Sequence, residues 1–187
     1  MRKLIVQQWV TADNIVAEED GGLSFVSVEP FSETTDQVFK ASVLGLIDSV
    51  DTMILGANTY AQSTGWADAE DQGEYGEKLN NLTKFVASSK LDDAPWGDFP
   101  AATVTRDPVA TVRELKDQDG KNLWLFGSLT LMRSLFDAGL VDEIQMLVCP
   151  VTRGKGTHLF DDRRDLKLIE AASFANGVML VRYAIAK

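Results

Sequence analysis

This chain has few of the residues from which several common chemistries are built. Its 187 residues include one cysteine and one histidine. Cys149 has no second thiol to pair with, so an internal disulfide is excluded, and a cytoplasmic location is the expectation. It lies in an apolar run, where a thiol is expected to be a small buried side chain rather than a nucleophile. His158 alone cannot build a His-rich or Cys-rich centre, so no metal is expected. A Ser-His-Asp triad would need that same histidine, and no Gly-x-Ser-x-Gly elbow occurs. No window approaches the roughly 20 apolar residues that cross a bilayer. The run Leu4-Ile5-Val6 behind Arg2-Lys3 is too brief for a secretion signal and reads as a first strand. Cations are scarce as well: 18 Lys and Arg stand against 28 Asp and Glu, a net charge of −10. That balance argues against nucleic acid and anionic membranes as partners, since both need clustered cations. It leaves room for a local basic pocket. Internal repeats, low-complexity tracts and obvious linkers are also absent.

What is present is enough apolar sequence for one domain with a sizeable core, at 45% hydrophobic and 25% charged residues. The stretch Leu123-Trp124-Leu125-Phe126-Gly127-Ser128-Leu129-Thr130 carries the most information. Four bulky apolar residues read as a buried strand. A helical pattern follows through Leu131, Met132, Leu135 and Phe136. A strand that passes through glycine into a helix leaves bare N–H groups at the positive end of the helix dipole, which suits a phosphate. A plain turn with Ser128 as helix cap fits the same letters. The same grammar recurs at Asp51–Gly56, where a short strand ends on glycine before Asn58 and Thr59.

Around these, residues 3–10 read as strand one and residues 11–33 as a long irregular segment. A helix is expected from Thr34 to Ser49, capped by Thr34 or Thr35 with Asp36 in its first turn. Gly65 to Gly76 reads as a loop and Glu77 to Asn81 as the end of a short helix. Strands follow at Lys84–Ala87 and Ala102–Thr105, then a helix opened by Asp107 and Pro108. The helix after Ser128 ends near Gly139, a position suited to a left-handed glycine. A long strand covers Val141 to Val151. Residues 166–174 and 178–186 form a closing hairpin through Asn176-Gly177. This alternation argues an α/β fold, with a mixed, mostly parallel sheet, helices on both faces and a C-terminal antiparallel hairpin.

Several segments, taken in order, are similar to one family. They are Arg2–Val6 followed by Thr11-Ala12-Asp13-Asn14-Ile15-Val16-Ala17, then Leu55-Gly56-Ala57-Asn58-Thr59-Tyr60, then Val86-Ala87-Ser88-Ser89. Phe126-Gly127-Ser128, Gly139-Leu140-Val141-Asp142-Glu143 and the Pro150, Gly154, Gly156, Leu159-Phe160 pattern complete the set. The chain resembles the dihydrofolate reductase-like superfamily. Within it, the resemblance is closest to the reductase domain of the bifunctional riboflavin-biosynthesis deaminase/reductase, and it extends over residues 1–187 as one three-layer domain. The deaminase half's zinc-binding His/Cys signature does not occur. The resemblance implies NADPH as cofactor, bound across the C-terminal ends of parallel strands, where open α/β sheets generally hold ligands. It implies that Gly56, Asn58 and Thr59 are cofactor-binding, Thr59 at the pyrophosphate, with Gly127, Ser128, Leu129 and Thr130 cradling it. Ser88 and Ser89 lie toward the adenosine. The backbone of Ala12, Ile15 and Ala17 faces the nicotinamide. The Gly127-Ser128 bond corresponds to a cis bond in the family. Homodimers are common among relatives, and Ile144–Val151 is a strand that would suit an interface.

Two departures stand out. Ala57 occupies the place of the family's arginine, which in relatives meets the 2′-phosphate; Arg106 and Lys90 are the candidate substitutes, since both follow strand ends. Asn14 replaces the usual loop glycine, and asparagine tolerates the left-handed region that turn needs. As proton donors, Asp36 and Asp13 are the candidate carboxylates. A first-turn helix acid and a turn aspartate bonded to its own backbone are their respective alternatives. Trp9 and Trp66 are candidate walls for a flat substrate, or simply core. His158 has no role in the resemblance, and Glu18-Glu19-Asp20 reads as a solvated loop. The function expected is hydride transfer from NADPH to a small heterocycle, resembling 5-amino-6-(5-phosphoribosylamino)uracil reductase. The alternatives are a folate- or pterin-type reductase and a non-catalytic nucleotide-binding or oligomeric module.

Overall fold

The structure is a computed structural model, and it describes residues 1–26, 37–68 and 73–186. In chain order the elements are β1 (Leu4–Thr11), β2 (Ile15–Ala17), α1 (Gln37–Asp48), β3 (Val50–Gly56) and α2 (Ala57–Ser63). Next come α3 (Gly65–Asp68), α4 (Gly73–Asn81), β4 (Thr83–Ala87), β5 (Thr103–Thr105) and α5 (Pro108–Asp117). The remainder are β6 (Asn122–Gly127), α6 (Leu129–Asp137), β7 (Glu143–Cys149), β8 (Thr157–His158), β9 (Leu166–Ser173) and β10 (Met179–Ile185). They fall into two compact units, one of Met1–Val6 with Ala41–Val141, the other of Gln7–Lys40 with Asp142–Lys187. Strand β1 contributes residues 4–6 to the first and 7–11 to the second.

In the first unit β5, β4, β3, β6 and the start of β1 lie side by side in that order, all parallel. Parallel strands covered on both faces read as unbroken apolar runs. Met53-Ile54-Leu55 and Leu123-Trp124-Leu125 are such runs, every residue at most 1% exposed. The register sets Gly56 opposite Ala87, Ala87 opposite Thr105 and Leu55 opposite Gly127. Parallel direction therefore brings the C-terminal ends of these strands to one edge. Asp107 caps α5 by accepting from the Ala110 N–H at 2.9 Å, with proline at the next position. Helix α6 closes on Gly139 at φ +67°, where Gly139 N donates to Phe136 O and Leu140 N to Leu135 O.

In the second unit the remainder of β1, then β7, β10 and β9 follow in order, with β10 antiparallel to both neighbours. The hairpin signal at Asn176-Gly177 becomes a three-residue loop. It is closed by Phe174 N donating to Val178 O, and Gly177 takes the left-handed turn at φ +82°.

Two stretches expected as loop carry structure instead. Residues 15–17 form β2, paired with β8. Residues 65–68 and 73–76 are helical. Their glycines suggested a loop, but tertiary contacts decide the outcome: Trp66 meets Tyr75 edge-on at 5.9 Å, and Asn80 Nδ2 donates to Trp66 O. The cap candidates Thr34 and Thr35, and the candidate acid Asp36, lie outside the described residues.

Candidate active site

The C-terminal edge of the first unit's strands gathers three of the sequence-expected segments. Gly56 ends β3 and is the N-cap of α2, with no side chain to offer the first turn. By helix geometry the leading N–H groups of α2, from Ala57, Asn58 and Thr59, have no carbonyl within the helix. Ser128 is the N-cap of α6. Its Oγ accepts from Leu131 N at 3.4 Å, a cap, and the N–H groups of Leu129 and Thr130 remain at the open helix end. The Gly127-Ser128 peptide is cis, as the resemblance implied.

The two glycines are fixed by each other's neighbours. A Cβ on Gly56 would lie 2.5 Å from Ser128 Oγ, and one on Gly127 would lie 2.8 Å from Thr59 Oγ1. Strand ends β3 and β6 thus approach too closely for any side chain. At Gly127 the missing Cβ leaves the Thr59 hydroxyl uncovered. The chemistry of this edge, open helix N–H groups with a hydroxyl beside them, fits a pyrophosphate.

Next along the edge, Ser88 organises the β4 exit. Its Oγ accepts from Lys90 N at 3.1 Å and Leu91 N at 3.0 Å, and its own N–H donates to Thr105 O. Ser89 is exposed. Arg106, just past β5, donates from Nη1 to Ser88 O at 2.6 Å and pairs with Asp92 at 3.3 Å. A cation therefore stands at the serine pair even though Ala57 carries none. At the opposite edge a cavity of about 390 Å³ opens between Ile47, Asp48, Glu74, Lys78 and Lys121. Lys78 bridges Asp48 and Glu74 there, and the open helix ends lie at the other edge.

In the second unit Asp13 has a structural task. Its carboxylate accepts from Thr11 Oγ1 at 2.5 Å, Gly154 N at 2.7 Å and Arg153 N at 3.0 Å. The Thr11 hydroxyl first, then the two backbone donors, hold its pKa down to about 2. A group that ionised is a poor proton donor at neutral pH, so of the two readings for Asp13 the geometry favours the turn aspartate. Asn14 takes the left-handed turn at φ +69°, as its side chain permits. Ile15 and Ala17 are buried, and Ile15 N donates to Thr11 Oγ1 at 2.9 Å. Trp9 is half-buried, 6.1 Å from the Phe39 ring, which in turn meets Phe174 edge-on at 5.0 Å. Trp9 and Trp66 each sit in an aromatic cluster of their own unit. Cys149 is buried, and burial pushes its thiol pKa up, as suits an inert core side chain. Among the described residues no group of three or more His, Cys, Asp or Glu could hold a metal, and no helix is long and apolar enough to cross a membrane.

The order and spacing of these edge segments have a counterpart in known proteins. A family model, the RibD C-terminal domain, matches residues 2–180. The chain belongs to the RibD C-terminal domain family. Bacillus subtilis YyaP, an uncharacterised protein, is 25% identical over 97% of this chain and 94% of its own length. Among solved structures, a pyrimidine reductase-like protein from Corynebacterium diphtheriae superposes with a TM-score of 0.69 at 15% identity, covering 100% of this chain and 92% of that one. Dihydrofolate reductase from Enterococcus faecalis gives a TM-score of 0.59 at 13% identity over 99% and 97% of the two chains. The fold is dihydrofolate reductase-like: α/β, with a mostly parallel sheet and antiparallel C-terminal strands.

Sequence reasoning missed Arg153 and Glu18 as partners of the Ala12–Ala17 loop. Nothing local signals that pairing, since Arg153 lies 140 residues from Asp13.

Proposed function

We propose that this RibD-family chain is an NADPH-dependent reductase that passes a hydride to a small heterocyclic substrate, of the class reduced by 5-amino-6-(5-phosphoribosylamino)uracil reductase. The observation that carries the reading is the convergence of Gly56 with Thr59, Ser88 with Ser89, and Gly127 with Ser128 at one edge of parallel strands. Bound there, the cofactor supplies the hydride, and the protein supplies binding and orientation. The open N–H groups of α6 and α2, with the Thr59 hydroxyl, hold the pyrophosphate. Arg106, braced on Ser88 O, reads the 2′-phosphate in place of the arginine absent at Ala57.

Titration of the protein with NADPH and NADH, followed by tryptophan quenching and energy transfer to the nicotinamide, tests this. Saturable binding with NADPH preferred is the expected result. Equal affinity for both cofactors would remove Arg106 from its role. Failure of both to bind at millimolar concentration would end the reductase reading.

A further inference from the structure

We propose that Asp92 is a specificity-determining residue: its carboxylate holds Arg106 and so restrains how strongly the chain prefers a cofactor that bears a 2′-phosphate. This deepens the reductase reading above and rests on it.

All the groups involved lie in the first unit. Strands β4 and β5 run parallel with Ala87 opposite Thr105, so Ser88 and Arg106, each one residue further on, emerge side by side. Arg106 Nη1 donates to Ser88 O at 2.6 Å, and Nη2 donates to Asp92 Oδ1 at 3.3 Å. A guanidinium has more N–H donors than these two contacts use. The Arg106 side chain is 51% exposed and that of Asp92 99%, so a ligand can reach both. The carboxylate is carried on a fastened loop. Before it, Ser88 Oγ accepts from Lys90 N and Leu91 N. After it, Ala102 N donates to Ala94 O at 2.8 Å, and Tyr60 OH donates to Pro95 O at 2.6 Å. Trp96 is fully buried, and its Nε1 donates to Asn80 Oδ1 at 2.7 Å. With the backbone held on both sides, the Asp92 charge stays beside Arg106.

A phosphate monoester carries roughly −1.5 to −2 charge near neutral pH. Arriving at Arg106, it meets a cation that is already paired and a carboxylate of its own sign. Specificity is a difference of affinities, and a like charge lowers one of them without touching the other. NADH has no 2′-phosphate and meets no such repulsion. Ala57 adds no cation of its own. The preference for NADPH therefore rests on Arg106, and Asp92 sets its ceiling.

Titration of the intact chain with NADPH and NADH, on wild type and on Asp92→Asn, tests this. Asparagine keeps the size of the side chain and an oxygen that accepts from Arg106, and it removes the charge. NADPH should bind Asp92→Asn about three- to fivefold more tightly at low salt, the size of an exposed ion pair. NADH should stay within about twofold of wild type. The NADPH gain should shrink at about 0.5 M NaCl, because exposed charges are screened. Unchanged NADPH affinity would overturn the proposal. So would weaker NADPH binding, which would show that Asp92 aims Arg106 rather than restraining it. An equal gain for both cofactors would also overturn it, since that would reflect only the chain's overall charge. A wild type that bound neither cofactor would end the reductase reading and this proposal with it, an outcome distinct from a wild type that binds both while Asp92→Asn changes nothing.

Discussion

Adding one methyl group at Gly56 should destabilise the chain through a single identifiable contact. Gly56 sits at φ −80° and ψ 159°, a conformation any residue adopts, so an alanine there meets no backbone penalty. The cost comes from Ser128: the new Cβ would lie 2.5 Å from its Oγ, 3.0 Å from its Cβ and 3.3 Å from its N. Two of those atoms belong to a short side chain and the third to the backbone, so nothing flexible can swing aside. Overpacking of this kind costs about 1–3 kcal/mol. Ser128→Gly removes the two nearest atoms and leaves only the backbone nitrogen. Its own cost is a few tenths of a kcal/mol, roughly the difference between serine and glycine as a helix cap. The double variant Gly56→Ala/Ser128→Gly should therefore recover most of the loss, with a coupling of about 1–2 kcal/mol. Urea unfolding of the four proteins measures this, read as midpoint shifts at constant slope. Additivity within about 0.5 kcal/mol would refute the claim that the two strand ends require glycine because of each other.

Other outcomes follow from single features. Arg106→Ala should weaken NADPH and leave NADH unchanged; an equal loss for both would show that the residue does not read the 2′-phosphate. Burial lowers the Lys84 pKa from 10.5 to about 8, so the unfolded chain holds that proton longer, and stability from this group rises as pH goes from about 8 to 10.5. Lys84→Met should lack that rise in pH-dependent unfolding, and parallel curves would contradict it. Asp13 is also shifted down, by its hydrogen bonds rather than by burial, with a folded pKa of about 2 against 3.8, so its contribution is full above 3.8 and lost as pH falls toward 2. Asp13→Asn should flatten the acid limb of the stability curve.

Local physics was legible wherever a short stretch decides its own conformation. Asp107 and Pro108 announced a capped helix start, Gly139 a left-handed helix stop and Asn14 a left-handed loop turn, and each is found there. Apolar runs located β3 and β6 for the same reason, since strands buried on both faces have no room for polar residues. The resemblance was legible because it rests on ordered segments rather than on any single one. The helix over Gly73–Asn81 was only half legible, because its first residues are glycine-rich and its order comes from Trp66 and Tyr75.

The sequence by itself thus determined the alternation of strands and helices, the caps and stops, and the membership that alternation implies. Only the tertiary structure decided what Asp13 does. As letters, Thr11-Ala12-Asp13-Asn14 allow a free acid or a turn. The outcome depends on backbone N–H groups 140 and 141 residues away. The tertiary structure also decided that Gly56 answers to Ser128 and that Arg106 stands at Ser88. Such contacts depend on strand order and register, which collect distant chain ends at one edge, and no local propensity encodes that distance.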